Sequence, residues 1–223
     1  ASDSITASST NTQIFTSTTS SGNAGPLSLT ASDITAERAL IYADTRGSGQ
    51  GGTVNVTGSG SIVLSNGAVI SSSAFGSGNG GNVSVSAPIV NVNRGNIKST
   101  TEFGSGGNAG NVSVSAGSVA VTNGVIASEV DGTGQGGNVT VTASAGSVIV
   151  SNFGLISSDA GLLSNYDGET VTVTASDSIV VSNNGEIRSI TLSNTNAGNV
   201  SVSAPTVTVD GGSIRSTSNC FLG

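Results

Sequence analysis

The chain has 223 residues, a net charge of −7, 9% charged residues, 3% aromatic residues and no histidine. Six basic residues cannot form the positive surface that neutralises phosphates, so the composition excludes a nucleic-acid-binding protein and a polybasic membrane-surface protein. No apolar run approaches the roughly 20 residues that cross a bilayer, so we expect no membrane-spanning segment.

The first predicted element of each repeat is a strand in which apolar residues alternate with serine or threonine. It follows a glycine-rich stretch, as in GSGNGGNVSVSA at 76–87 and NAGNVSVSA at 108–116. A single such segment could be a site, whereas recurrence at a nearly fixed period indicates repeat architecture. The first apolar residues of the copies, spaced by 27 to 32 residues, are Leu27, Val54, Val83, Val112, Val139, Val171 and Val200.

Two further strands are predicted in each period. The second contains apolar pairs such as Val90 and Val92, and the third follows a turn and has the signature G-x-[IV]. Because each strand alternates, we expect its apolar face to lie inside and its Ser/Thr face to lie in water. The predicted inward residues of the third strand are Ile41, Val69, Ile97, Ile126, Ile156, Ile187 and Ile214.

Polar residues and glycines recur at the predicted corners. Just before the first strand, a stacked amide ladder is predicted from Asn82, Asn111, Asn138 and Asn199. A second polar column precedes the third strand and consists of Asn66, Asn93, Asn123, Asn152, Asn183 and Asp210. The glycines that follow this column are predicted to take positive φ, and they are Gly67, Gly95, Gly124, Gly154, Gly185 and Gly212.

Three short strands per coil of about 27–32 residues, with no helical pattern, predict an all-β fold of the right-handed parallel β-helix (β-solenoid) type. Strands of successive coils then pair in parallel at a spacing of about 4.8 Å. We interpret residues 1–223 as a single repeat array that enters and leaves in mid-coil, without a separate capping domain. The predicted structural core includes Val83, Val85, Val112, Val114, Val139, Val141, Val171, Val173, Val200 and Val202.

The stretches AVISSSAFGSGNGGNVSVSA (68–87) and NIKSTTEFGSGGNAGNVSVSA (96–116) resemble a known type of repeat, with GLISSDAGLLSNYDGETVTVTA (154–175) as a weaker copy. They are similar to repeats of secreted exoproteins of the filamentous haemagglutinin type, above all the large repeat-rich members common in cyanobacteria. The resemblance implies two-partner secretion through an outer-membrane pore and an extended fibre that serves adhesion, biofilm or sheath formation. It therefore implies a bacterial protein that is extracellular, either secreted or at the cell surface.

The sequence offers no pattern for a catalytic, cofactor or metal site, and we expect a protein that is not an enzyme. Lys98, Arg188 and Arg215 share one position of the third strand, where charges at the edge of a coil discourage unwanted pairing. The glycine runs lack the GK[ST] of a phosphate-binding loop. The acidic residues are predicted to lie in different corners, without the clustering that carbohydrate cleavage needs, and they include Asp44, Glu102, Glu129, Asp131, Asp159, Asp167 and Asp177.

Two other features have weaker interpretations. The outward residues of the first strand form a Ser/Thr ladder, with Ser84, Ser113 and Thr140 as examples, and this ladder is similar to an ice-binding face. Much of it is serine, which lacks the methyl groups of such faces, so ice binding is a minor alternative. Cys220 is the only cysteine and excludes an internal disulfide; it is interpreted as a half-buried residue near an end, or as one half of a disulfide between chains.

The predicted function is structural: an extracellular fibre, filament or sheath built from stacked coils. The segment ASDSI occurs at 1–5 and at 175–179, and the final segment follows a third strand, so the two ends of the chain are complementary. The chain is then either a segment of a longer array or a subunit that stacks head to tail. The expected partners are neighbouring repeats or further copies of the chain, and also polysaccharide or a cell surface. The alternative function is an adhesin that binds a glycan or a surface through its glycine-rich loops.

Overall fold

A computed structural model describes residues 3–102 and 104–219, so Cys220 lies outside the described residues. These residues contain no helix, and every pairing between strands is parallel. The structure confirms the predicted β-solenoid, with about seven coils of about 29 residues each. The strands in chain order are β1 (Ser4–Ser8), β2 (Gln13–Thr18), β3 (Leu27–Glu37), β4 (Leu40–Thr45), β5 (Val54–Ser65), β6 (Val69–Ala74), β7 (Val83–Asn93), β8 (Asn96–Thr101), β9 (Val112–Thr122), β10 (Val125–Val130), β11 (Val139–Ala143), β12 (Val148–Ser151), β13 (Leu155–Ala160), β14 (Val171–Ala175), β15 (Ser178–Ser182), β16 (Glu186–Thr191), β17 (Val200–Ser203), β18 (Thr206–Asp210) and β19 (Ser213–Ser218).

The strands form two sheets that run along the whole array. The first sheet has eleven strands and contains the first and second predicted segments of each coil, while the second sheet stacks the third segments from β2 to β19 in eight strands. The first two segments are separate strands in the later coils but form one bent strand in β3, β5, β7 and β9. Small residues such as Gly58 and Ala87 occupy this bend, so the chain changes direction there without leaving the sheet.

The core is a set of aliphatic columns, one residue per coil. The predicted core valines from Val83 to Val173 are at most 1% exposed, whereas Val200 and Val202 in the last coil are partly exposed. The prediction for β6 is wrong by one position, because Ile70 pairs with Ile97 and is fully buried while Val69 pairs with Asn96 and faces outward. The segment AVISS has two adjacent β-branched residues, and an alternating pattern allows either of them to be the inward one. Only the strand register shows which of the two is buried.

The second sheet also turns serines inward, contrary to the expectation that its Ser/Thr residues face water. Each of these serines lies two residues after the inward isoleucine, and Ser128 shows why it is tolerated there. Its Oγ accepts a hydrogen bond from the Gly137 N–H (2.8 Å) and donates one to the Gly110 carbonyl (3.0 Å), so it joins the corner loops of two successive coils. These two bonds compensate for the removal of the hydroxyl from water. The members of this inner serine ladder that are at most 1% exposed are Ser72, Ser99, Ser128, Ser158 and Ser189.

The turn before the third strand contains a column of left-handed residues, and of the glycines predicted to take positive φ only Gly67 does so. Gly67 has a φ of 91°, whereas Gly124 is required for another reason: a Cβ there would lie 2.8 Å from the carbonyl oxygen of Val92 in the preceding coil. Asparagine tolerates the left-handed region better than most residues, which explains its recurrence here. The aligned residues with φ between 49° and 65° are Arg38, Asn66, Arg94, Asn123, Asn152, Asn183 and Gly211. The predicted polar column is therefore wrong by one position in two coils, where it contains Asn93 and Asp210 in place of Arg94 and Gly211.

Phe153 stands next to this column with a φ of 63°, and its side chain is 70% exposed. A phenylalanine gains little there from burial and is strained by its left-handed backbone. We expect Phe153→Gly to raise the free energy of unfolding by about 1 kcal/mol, since a non-glycine residue in this region costs about 1–2 kcal/mol. Phe153→Ala removes the ring but keeps the strain, so it should leave stability nearly unchanged. Equal stabilities of the two variants in urea unfolding would contradict this explanation.

Candidate binding face

The outer surface of the second sheet differs from the Ser/Thr surface of the first sheet in its chemistry. Its outward residues form two neighbouring columns, which we call the outer face. The first column is Phe15, Tyr42, Ser71, Lys98, Ala127, Ser157, Arg188 and Arg215. The second column is Ser17, Asp44, Ser73, Thr100, Glu129, Asp159, Ile190 and Thr217.

The amino-terminal end of the outer face is aromatic. The rings of Phe15 and Tyr42 stack with centroids 5.0 Å apart and planes 7° from parallel. The Tyr42 hydroxyl donates a hydrogen bond to Oε1 of Gln13 (2.7 Å), and the Arg46 guanidinium lies 5.4 Å from the centroid of Phe75. Phe15 and Phe75 are 52% and 43% exposed, so these rings contribute little to the core and present apolar surface to solvent.

A depression of about 410 Å³ lies among these groups and includes Asp44 in its lining. Oδ1 of Asp44 accepts a hydrogen bond from the backbone N–H of Ser73 (2.8 Å). Burial nevertheless raises the pKa of Asp44 to about 6, against the opposing effects of this hydrogen bond and of the Arg46 and Lys98 charges. The carboxyl is therefore held half-ionised near pH 6 beside an aromatic surface.

Asp44→Asn is expected to make the protein more stable at pH 7 and to leave its stability unchanged at pH 4. Because the pKa of Asp44 is higher in the folded state, the folded state binds more protons than the unfolded state, and stability falls as pH rises from about 4 to about 7. Asparagine retains the acceptor for the Ser73 N–H and removes the buried charge. The gain at pH 7 should be about 1–2 kcal/mol, allowing for partial solvent screening.

Thermal unfolding of Asp44→Asn between pH 4 and pH 8 measures this directly. Asp131→Asn makes the same change of charge at an exposed carboxyl and is the control. A constant difference between Asp44→Asn and the natural chain across the pH range would rule out burial of Asp44 as the cause.

The carboxy-terminal end of the outer face is a network of paired charges. The Arg188 guanidinium binds Oδ2 of Asp159 and Oε2 of Glu186, each at 2.8 Å, and Arg215 also binds Glu186. Although burial opposes it, hydrogen bonds from Arg215 and Arg188 hold the pKa of Glu186 below its usual value. The prediction that the acidic residues lie in different corners is wrong for Glu129 and Asp159, which are neighbours on β10 and β13.

Glu129 is the least well paired member of this network. Burial raises its pKa, and Lys98, whose Nζ lies 4.0 Å from Oε2, offsets this only in part. It stands beside Asp159 across β10 and β13, next to a depression of about 340 Å³ that includes Arg188 and Leu192. The Asp159 carboxylate is already paired with the Arg188 guanidinium. The charged side chains of neighbouring coils therefore form a ladder of ion pairs. The described residues contain no group of three or more metal-ligating side chains.

The predicted corner asparagines join coils and lie away from the outer face. Oδ1 of Asn82 accepts the backbone N–H of Asn111 (2.8 Å), Oδ1 of Asn111 accepts that of Asn138 (2.8 Å), and Oδ1 of Asn138 accepts that of Thr170 (3.0 Å). The bonds thus run from backbone to side chain, in place of the predicted stacking of amides. Asn199 precedes Val200 in the same column, and its side-chain oxygen accepts no such bond among the described residues.

A second ladder of the same kind was missed in the sequence. It lies three residues before the first ladder, and every member but the last, Gln135, accepts a backbone N–H of the next coil through its side-chain oxygen at 2.8 to 3.1 Å. The signal was present, because an amide recurs at this offset in most copies. Its continuous members are Asn23, Gln50, Asn79, Asn108 and Gln135.

Comparison with models of protein families, with curated proteins and with solved structures gives no significant match to this chain. In the part of the chain that the structure describes, no helix is long and apolar enough to cross a membrane. The fold and the chemistry of its faces are therefore the observations on which a function can be proposed.

Proposed function

We propose that this array of coils is the shaft of an extracellular bacterial fibre or sheath, of the kind that the resemblance to filamentous haemagglutinin-type repeats implies. The observation that carries the proposal is the number of side-chain ladders devoted to joining one coil to the next. The corner amides, the inner serines and the aliphatic core columns all recur along the array in register. Such a design favours a stiff rod, because each added coil repeats the same contacts.

Self-association and continuation into neighbouring repeats both follow from this proposal, and neither requires catalysis or a cofactor. Parallel strands stacked along the axis share tension among many backbone hydrogen bonds, which suits a load along the fibre. The Ser/Thr surface of the first sheet stays well hydrated and suits a protein that lies outside the cell.

Immunogold electron microscopy of the source cells, with antibodies raised against residues 1–223, tests the location and the form together. We expect gold particles along filaments outside the cell, and fibre diffraction of these filaments should show a strong axial spacing near 4.8 Å. Gold confined to the cell interior, or to compact particles without this spacing, would overturn the proposal.

A glycan- or surface-binding adhesin is the second candidate function. The outer face favours it, because the Phe15 and Phe75 rings are exposed to solvent and contribute little to the core. If the protein is such an adhesin, the rod carries a binding surface whose residues lie on the second sheet. The sequence, in contrast, predicted that an adhesin would bind through the glycine-rich loops.

A further inference from the structure

The two rings of the aromatic stack are not equivalent, because Tyr42 lines the depression of about 410 Å³ and Phe15 does not. Phe15 lies against one face of the ring. On the other side the paired residue is Ser71, whose side chain is too short to reach the ring plane, and the next residue in that column is Lys98. Two strand spacings, or about 9.6 Å, separate the strands of Tyr42 and Lys98. A slot one residue wide, which we call the Ser71 notch, therefore opens beside the free face of Tyr42.

The walls of the Ser71 notch carry a mixed set of polar groups. Asp44 supplies a carboxyl, Arg46 a guanidinium and Gln13 an amide to the depression of about 410 Å³, and Phe75 also lines it. This volume lies within the range of about 300–1,000 Å³ that is usual for small-molecule sites. The Ser71 floor is 6% exposed and leaves the width of the slot free.

The chemistry of these walls selects among ligand classes. A phosphate or other compact anion would lie against the Asp44 carboxyl, and a cation would lie against Arg46 and Lys98, so neither charge is favoured. A neutral, flat molecule with hydroxyl groups around its edge meets every wall: its C–H face packs on Tyr42, and its hydroxyls pair with the carboxyl, guanidinium and amide. A pyranose ring has this form.

We propose that the Ser71 notch binds a hexopyranose unit of a neutral polysaccharide, with the ring stacked on Tyr42 and its hydroxyls bonded to Asp44, Arg46 and Gln13. The notch lies on the outer face, at the pairing of Tyr42 with Ser71. This inference deepens the second candidate function and rests on it. It is independent of the fibre, since a rod with or without a glycan site would give the same filaments.

Affinity electrophoresis of the chain in gels that contain soluble neutral polysaccharides provides the test. The probes are hydroxyethylcellulose, laminarin and galactomannan, which present different linkages of neutral hexoses. We expect one or more of these to retard the natural chain, and Tyr42→Ala to weaken that retardation at least tenfold. Phe153→Ala, which removes an exposed ring from a turn outside the outer face, should migrate like the natural chain.

A second variant separates binding from folding, because loss of Tyr42 also removes the stack with Phe15. Ser71→Tyr places a ring in the notch, extends the stack by one member and keeps the strand register. It should abolish retardation while the midpoint of thermal unfolding stays the same or rises. The proposal is overturned if none of the three polysaccharides retards the natural chain, or if Ser71→Tyr is retarded as strongly as the natural chain. Filaments seen in the immunogold experiment would be unaffected by either result.

Discussion

Gly107→Ala is expected to lower the free energy of unfolding by about 3 kcal/mol, the upper part of the range for overpacking a close contact. Gly107 is buried in a corner loop, where a Cβ would overlap the carbonyl oxygen of Gly78 in the preceding coil. Backbone lies on the other side of that contact, so no side chain can rotate away, and the loops would have to separate. Urea unfolding followed by circular dichroism measures the loss.

The neighbouring glycine is a matched control for this effect. Gly106 lies in the same loop, but a Cβ there would have its closest contact at 3.9 Å, with Oγ1 of Thr133, which is ordinary packing. Gly106→Ala should therefore change stability by less than about 0.5 kcal/mol. If the two alanine variants lose stability equally, general stiffness of the loop and not its contact with the preceding coil is the cause.

Ser128→Ala is expected to cost about 2–3 kcal/mol, although serine and alanine differ by one oxygen atom. The hydroxyl is fully buried and holds the Gly137 N–H and the Gly110 carbonyl. Its removal leaves a buried donor and a buried acceptor without partners, and each such group costs about 1–3 kcal/mol unless water or a local shift satisfies it. The effect should appear in equilibrium unfolding, with loss of amide-exchange protection at Gly137.

Ser157→Ala tests whether burial alone explains that loss. Ser157 is also fully buried in the second sheet, on its outer side, but its Oγ has no hydrogen-bond partner. Its removal relieves an unsatisfied polar atom and should leave stability unchanged or slightly higher. A loss comparable to that of Ser128→Ala would show that the bonds to the corner loops contribute little.

The solenoid could be predicted from the sequence, because the repeat period gives the length of one coil and the alternation within each strand gives its inward face. Stacking one coil on the next requires equivalent residues at equivalent places, and the valine columns from Val83 to Val173 follow directly. The inner serines could not be assigned in this way, because the burial of a hydroxyl such as that of Ser128 is favoured by a loop N–H within reach. That proximity depends on how the corner loop folds back, which alternation does not encode.

The outer face was harder to foresee because its residues are far apart in the chain and differ from coil to coil. Aligning the isoleucines of the third strand would have placed Phe15 beside Tyr42, since each follows an inward isoleucine. The same alignment would have placed Glu129 beside Asp159. The free face of Tyr42 and the depth of the Ser71 notch depend on the size of a side chain one strand away, so they require the three-dimensional register.

The pairing of Val83 with Val112 has a consequence for how such a gene can change. Excision of residues 83–111 would join Asn82 directly to Val112 and recreate the junction that already precedes Val112, GNVSVSA, one coil earlier. Each ladder would then continue with the equivalent residue of the next coil. The inverse event, a duplication, would insert a coil that makes the same contacts with its neighbours. Recombination between copies can therefore shorten or lengthen the rod in whole steps of about 4.8 Å, without a new sequence having to be selected.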